Sequence, residues 1–559
     1  MNMSRLPVPP LPETLQRYLQ WVRPLLNDSE FVHSEAAVAA FASGEGQALQ
    51  ADLAHFAAEK SRSSWLIDAW LESYLACREP LPLASNVGFA VERGRADLAH
   101  WLAAAAAVHA DYLQSRIEAP LTPQGHPVCM QQWQILQGAM RVAENGCDRY
   151  EFAEATTASR HIGVWYQGYY YCLPALDANG QAYAADVFQV ALKQILADDA
   201  ANPYPAGVPA FLGSGQWASI RHTLVQEPAN ATLLEQMKAD LFHVNLYRRN
   251  GLSADEDLCH ATFAAEDSFW PYKPITYRFN LATERLFLHC EHTWPDGGML
   301  KGLVERAQQK GTAAAAVETH IKPTRYEWQL TEAQQQAWPQ WQRQYAEQAA
   351  MMRVSSMETA LAQPVPKGFS QDGLIQFALQ YAQQQTYGRI RNTYEAVDVS
   401  HFQYGRTECI RPVSTESVRL VQALADNQAD AVLLLAALAE HKNRVKACKS
   451  GHGVNRHLLG LKLMANRNGN LPALFADRGY TALTTDFLST STLGDGAAIR
   501  QFAFAPTSMG GLGINYTILP QSWLLTVSHT AAQNADVARF QVAFAEAAGK
   551  LLHLVGKAV

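Results

Sequence analysis

The sequence predicts an α/β protein made of two domains or of one large two-lobed unit. Length is the first reason: 559 residues exceed what one ordinary core serves, since single cores stop growing beyond roughly 250–300 residues. Alternation is the second, because stretches with apolar residues at helical spacing take turns with short apolar runs bounded by turn residues. The third is negative. No glycine-rich dinucleotide fingerprint follows a predicted strand, so the alternation is not that of a Rossmann fold.

Taken in order, the first 80 or so residues read as helical: the run from Pro12 to Val22 carries apolar residues at helical spacing and residues 51–60 repeat the pattern. Pro80 and Pro82 break it. Helix returns over residues 96–116, where the alanine run Ala103 to Ala107 allows close packing. The middle of the chain alternates a helix at 184–197 with apolar strands at 165–173, 241–247 and 286–291. A Gln-rich stretch from Gln329 to Gln348 marks the expected domain crossing. It reads as helix and not as disorder, since Trp328, Trp338, Trp341 and Tyr345 supply large apolar anchors. Helices are expected at 372–384, 414–427, 430–442 and 455–464, strands at 499–505, 514–519 and 523–528, and a closing helix over 534–552.

Composition excludes several partner classes. A formal net charge of -7 argues against nucleic acid, whose binders carry a basic stripe; the densest basic stretch, His441 to Lys449, is short. No apolar run approaches the roughly 20 residues that cross a bilayer; Ala431 to Ala439 ends at Glu440 and reads as a buried helix. The eight cysteines are scattered without a C-x-x-C pair, so reduced thiols are expected. The first residues lack both the apolar core of a secretory signal and the Arg-rich length of a presequence, and the last four are no peroxisomal address. A cytoplasmic monomer handling small molecules, without nucleic acid or membrane as partner, is the expectation.

The chemistry gathers first at Leu286-Phe287-Leu288-His289-Cys290-Glu291-His292-Thr293-Trp294-Pro295-Asp296-Gly297-Gly298. An apolar run ending in a Pro-Asp-Gly-Gly turn reads as a buried strand reaching its end. His292 can face a pocket there while Asp296, four residues on, orients its ring, a geometry suited to a general base near neutral pH. The neighbouring His289, Cys290 and Glu291 could also be read with His292 as a metal cluster. Strand neighbours alternate faces and no further ligand group with zinc-like spacing appears, so no metal is expected and Glu291 is given no chemistry.

Further motifs follow in order: Thr393-Tyr394-Glu395, Gly405-Arg406-Thr407-Glu408, Asn455-Arg456-His457-Leu458-Leu459-Gly460, Ser489-Thr490-Ser491, Phe504-Ala505-Pro506 and Gly511-Leu512-Gly513. Upstream lie Leu6 to Pro12, Trp65 to Trp70, Arg78 to Pro82 and Cys129 to Trp133. Together these resemble the carnitine/choline O-acyltransferase family along nearly the whole chain, most closely its short-chain carnitine members. The resemblance implies two α/β domains of similar topology, the coenzyme A-dependent acyltransferase fold, with an active-site tunnel between them. The corresponding division is an N-terminal helical segment (1–85) packing on the C-terminal domain, an α/β domain (86–335) carrying the histidine, and an α/β domain (336–559) carrying the substrate motifs.

The resemblance also implies roles. His292 matches the base that takes the acceptor hydroxyl's proton, Asp296 the acid that steadies it, and Ser491 the serine beside the reacting groups, a donor to the charge developing on a thioester carbonyl. Tyr394, Thr407 and Arg456 match the positions that bind the carboxylate of carnitine, a group choline lacks; arginine offers such a carboxylate a planar donor fork. Phe504 matches an aromatic near the trimethylammonium. Phe502 stands where short-chain relatives place a bulky plug in the acyl pocket. Coenzyme A, the co-substrate, is met by Lys367, Asp372 and Ser489, with no permanently bound cofactor. The chain departs from the family with one lysine before Asp372 where relatives have two, with Ala396 after Tyr394-Glu395, with Ser400 where an arginine is usual, and with Thr492 after the serine motif. The implied reaction is reversible transfer of a short acyl group between coenzyme A and carnitine. The alternatives are another carboxylate-bearing or zwitterionic alcohol as acceptor, or a catalytically idle family member acting as a metabolite-binding or protein-interaction module.

Overall fold

The computed structural model describes residues 3–60, 63–94, 96–122, 124–156, 160–264, 268–310 and 320–558. The extreme residues Met1, Asn2 and Val559, which belong to the segments read for targeting signals, lie outside them.

Two large sheets organise the chain. The first has eight strands in the order Thr324–Tyr326, Tyr169–Pro174, His161–Tyr166, His243–Tyr247, Thr276–Asn280, Arg285–Cys290, Val87–Val91 and Ile499–Phe504. The second has six: Met352–Ala360, Ser522–Thr530, Leu512–Leu519, Leu488–Ser491, Thr393–Asp398 and Thr407–Ile410. Helices cover both, as burying an apolar face on each side of a mixed sheet requires. On the first sheet, Leu98–Leu113, Ala185–Leu196 and Gly297–Gln309 pack one face, and Trp165, Tyr170, Trp217, Trp270 and Trp338 fill the other. On the second, Gln371–Tyr387, Thr415–Ala425 and Asn534–Ala558 close the core around Leu379, Leu525 and Phe544.

The strand Ile499–Phe504, late in the chain, joins the edge of the first sheet by pairing antiparallel with Val87–Val91. Its Phe502 amide also donates to Asn515 Oδ1, on a strand of the second sheet, at 3.1 Å. This strand thus bridges the two sheets. The N-terminal helices make a third core in which Leu15, Trp21 and Leu53 meet Val397, Leu458 and Leu461. There His457 is held from both sides of its ring, by Thr14 Oγ1 at 2.7 Å on Nδ1 and Gln50 Oε1 at 2.9 Å on Nε2.

Most expected elements appear, several of them longer: 430–442 extends to Ala431–Lys449, and the Gln-rich stretch is the helix Glu332–Ala349. One expectation is corrected. The apolar run 165–173 is not a single strand but parts of two, His161–Tyr166 and Tyr169–Pro174, joined by a tight hairpin. Gln167 and Gly168 both have positive φ (50° and 80°), as a two-residue hairpin turn of the primed kind demands. Glutamine carries no signal for that conformation, so the turn is hidden inside an apolar stretch.

Among the described residues no helix is long and apolar enough to cross a membrane, and all eight cysteines are unpaired thiols.

Candidate active site

A cavity of about 480 Å³ opens at the seam and is lined from both sheets and from the N-terminal helices. His292, Tyr394, Thr407, Arg456, Ser489, Ser491, Phe502 and Phe504 all border it, as does Asp296. Lys367 and Asp372 are not among its lining residues.

His292 follows the strand Arg285–Cys290, and the turn after it leads directly into the helix Gly297–Gln309. Its side chain keeps 26% of its surface exposed. Nδ1 lies 2.6 Å from the backbone carbonyl of Pro295. A carbonyl only accepts, so Nδ1 carries a proton; in the neutral imidazole Nε2 then holds the free lone pair, the tautomer a base needs. The Tyr74 ring lies against the imidazole at a centroid distance of 5.7 Å, edge to face.

Asp296 does not orient the ring directly as expected: its Oδ1 is 3.9 Å from Nδ1, beyond hydrogen-bond reach. Its carboxylate is taken by Arg406, whose Nε and Nη2 donate to Oδ2 and Oδ1 at 2.7 and 2.8 Å, and by Gln132 Nε2 at 2.8 Å. Burial pushes this carboxyl up, but the Arg406 charge and bonds, with His292 and Gln132, outweigh it and hold the pKa below the ordinary value. Arg406 Nη1 also donates to the Thr293 carbonyl at 2.9 Å. Asp296 and Arg406 thus clamp both ends of the 293–296 turn, and that turn presents the Pro295 carbonyl to the imidazole.

Glu291 is buried behind the site with Arg141, at 3.3 Å, and Thr293. His289 is buried on the opposite side of the strand end, its ring 4.7 Å from that of Phe269. The two histidines therefore do not converge, because strand side chains alternate.

Arg456 opens the helix Asn455–Arg467. Thr407 takes two of its five donors, the carbonyl at 2.9 Å from Nε and Oγ1 at 3.5 Å from Nη2. The guanidinium sits 4.7 Å from the Trp70 ring centre, and Arg406 sits 4.8 Å from the same ring. Glu408 lies below, accepting from the Arg456 backbone amide at 3.3 Å. Gly453 makes this approach possible, since a Cβ there would come within 2.4 Å of Glu408 Oε2. The result is a half-buried cation with its acidic neighbour set behind it, facing the cavity beside the Tyr394 and Thr407 side chains.

Ser489 and Ser491 alternate on the strand Leu488–Ser491 and so share a face. Thr490 turns the other way, donating to the Tyr394 carbonyl at 2.7 Å and accepting from Gln376. Thr492 is structural, its hydroxyl donating to the Tyr516 carbonyl at 2.6 Å. Phe502 is 5% exposed and closes one wall with Phe504, their centroids 6.1 Å apart.

Lys367 is exposed in the loop before the helix Gln371–Tyr387. Asp372, in that helix's first turn, accepts from Tyr516 Oη at 2.5 Å and pairs with His441 Nε2 at 3.1 Å. Glu395 lies beside it. Burial and then the Asp372 charge push the Glu395 carboxyl well above the ordinary range, while His441 and Tyr516 outweigh burial and hold Asp372 below it. Asp372, Glu395 and His441 offer ligand atoms within 4.8 Å of one another, a grouping the sequence reading did not anticipate. As arranged, Asp372 is satisfied by Tyr516 and His441, whereas Glu395 Oε2 and His441 Nδ1 are buried without a hydrogen-bond partner.

The sequence reading assigned no role to Trp70, Tyr74, Arg406 or Gln132. Trp70, Gln132 and Arg406 stand within the motifs given above; the ring packing and the clamp are tertiary facts that those motifs do not express.

One cavity is thus bordered by an imidazole, two serine hydroxyls and a guanidinium. The family model described as choline/carnitine O-acyltransferase matches residues 6–546. The chain belongs to that family of acyltransferases. Similar curated proteins include carnitine O-palmitoyltransferase 2 of Rattus norvegicus, 25% identical and covering 96% of this chain and 89% of that protein. Carnitine O-acetyltransferase of Mus musculus is also 25% identical, covering 92% and 87%. Among solved structures, the wax ester synthase/diacylglycerol acyltransferase of Marinobacter aquaeolei VT8 covers 87% of this chain and 97% of its own at 12% identity, with a TM-score of 0.35.

Proposed function

We propose that the protein reversibly transfers a short acyl group between coenzyme A and the hydroxyl of carnitine. One observation supports the reading: the His292 imidazole and the Arg456 guanidinium, which keeps donors beyond the two given to Thr407, border the same cavity, so a zwitterionic alcohol held by its carboxylate at Arg456 can present its hydroxyl to His292.

In the forward direction His292 Nε2 takes the hydroxyl proton as the oxygen attacks the thioester carbonyl. The negative charge formed on the carbonyl oxygen meets the Ser491 hydroxyl, a donor of the kind that supplies about 3 kcal/mol at such sites. The C–S bond then breaks, and the thiolate recovers the proton from the imidazolium as free thiol. One histidine thus serves in both directions. Tyr394, Thr407 and Arg456 hold the carboxylate, and Phe504 faces the trimethylammonium, where a cation-π contact contributes about 0.5–2 kcal/mol. Lys367, Asp372 and Ser489 are assigned to coenzyme A. Lys367 acts as a point charge for a phosphate at the surface.

The similar proteins include both palmitoyl- and acetyltransferases, so their names leave the chain length open. Phe502 supports a short acyl group because its ring closes the wall where a longer chain would run.

The test is a thiol-release assay with acetyl-coenzyme A and a panel of carnitine, choline and other carboxylate-bearing alcohols. Release with carnitine and not with choline is expected. Equal release with choline removes the clamp from the reading, and no release with any alcohol leaves a binding protein.

A further inference from the structure

We infer that Phe89 is a second determinant of acyl-chain length, forming with Phe502 a two-ring plug in which neither ring alone sets the limit. The inference rests on the short-acyl reading above and names the residue that reading lacks.

The strand Val87–Val91 lies between Arg285–Cys290 and Ile499–Phe504, and its register places Phe89 directly opposite Phe502 and Val87 opposite Phe504. Alternation puts Val87 and Phe89 on one face of that strand, and both border the cavity together with their partners. The rings of Phe89 and Phe502 are 5.2 Å apart with planes inclined at 42°, and the two residues are 3% and 5% exposed. Both belong to the core cluster of the first sheet, so what lies behind them is apolar. Space opened here would admit an alkyl chain and exclude water.

A cavity left by a large-to-small substitution persists only as far as its neighbours fail to collapse into it. When Phe502 is cut back, the ring best placed to move into the gap is Phe89, one cross-strand step away. Phe504, 6.1 Å from Phe502, flanks the acceptor side and would not shield the same space. Opening a path for a long chain therefore requires both rings to go. From its other face the strand is pressed against the helix Ala254–Phe263, since a Cβ at Gly88 would lie 2.1 Å from Thr262 Oγ1.

The experiment measures initial rates with C2, C4, C8 and C16 coenzyme A thioesters for the wild type, Phe502→Gly, Phe89→Ala and the double variant, each expressed as a ratio to its own C2 rate. We expect the wild type to favour C2 and C4. Each single variant should raise the C8:C2 ratio by less than tenfold, and the double variant should raise it at least tenfold beyond the product of the two. A Phe502→Gly profile already equal to that of the double variant overturns the inference while leaving the short-acyl reading standing. A wild type that turns over C8 and C16 as fast as C2 overturns the reading itself. Should the double variant be insoluble, Phe89→Leu combined with Phe502→Ala retains apolar volume and is judged by the same ratio.

Discussion

Replacing Arg456 with Asn probes the carboxylate clamp most directly. Arginine can give a carboxylate two parallel charge-assisted bonds, each contributing about 1.5–3 kcal/mol. Arg456 already spends two donors on Thr407, and its guanidinium is half-buried, so about 3 kcal/mol for the whole interaction is the reasonable figure. At about 1.4 kcal/mol per factor of ten, that is roughly a hundredfold rise in the Michaelis constant for carnitine. The interaction is the same in ground and transition states, because the carboxylate stands away from the reacting hydroxyl, so kcat should hold. Asparagine keeps a polar group near Thr407 but is too short for the fork. Steady-state rates at varied carnitine and fixed acetyl-coenzyme A, then the reverse, give both constants. A rise confined to carnitine is expected. An equal rise for coenzyme A, or a fall in kcat with both constants unchanged, would refute the clamp.

Three further outcomes follow from the same geometry. His292→Ala should lower turnover by roughly 10²- to 10⁴-fold, and unchanged turnover would remove the imidazole from the chemistry. Asp296→Asn leaves the fully buried Arg406 without its anion, a change that costs about 3–5 kcal/mol; chemical denaturation should show that loss, and turnover should fall because the Pro295 carbonyl is no longer held. Lys273 is buried with its ammonium donating to the carbonyls of Met237, Lys238 and Asp240, and burial drives its pKa from 10.5 down to about 7. Between those values the unfolded chain holds a proton the folded one has released, so this group makes stability rise with pH across that window. Lys273→Met should flatten the slope of the denaturation midpoint between about pH 7 and pH 10 relative to wild type; an identical slope would mean the group stays charged when folded.

The parts of the candidate site legible in the sequence were those whose signal is local. Strand Arg285–Cys290, the turn that follows it and the helix openings at Gln371 and Asn455 announce themselves through apolar periodicity and turn residues within a few positions. Motif likeness pointed to His292, Arg456, Ser491 and Phe502, and the structure sets all four on one cavity. It pointed also to Lys367 and Asp372, which the fold leaves outside that cavity's lining. The hairpin at Gln167 and Gly168 was missed because positive φ at glutamine has no signature in composition.

By itself, the order of residues supplied the candidate side chains, through motif likeness, and most of the helices and strands, through patterns among near neighbours. Only the tertiary structure decided what holds the imidazole, which is Pro295's carbonyl with Asp296 turned to Arg406. It decided, too, that a strand near residue 500 would complete a sheet begun near residue 87 and set Phe502 against Phe89. The Asp296–Arg406 pair and the pairing of Phe89 with Phe502 arise from register and burial between segments far apart in the chain, and no period along the chain encodes the partner a strand edge or a buried charge will find.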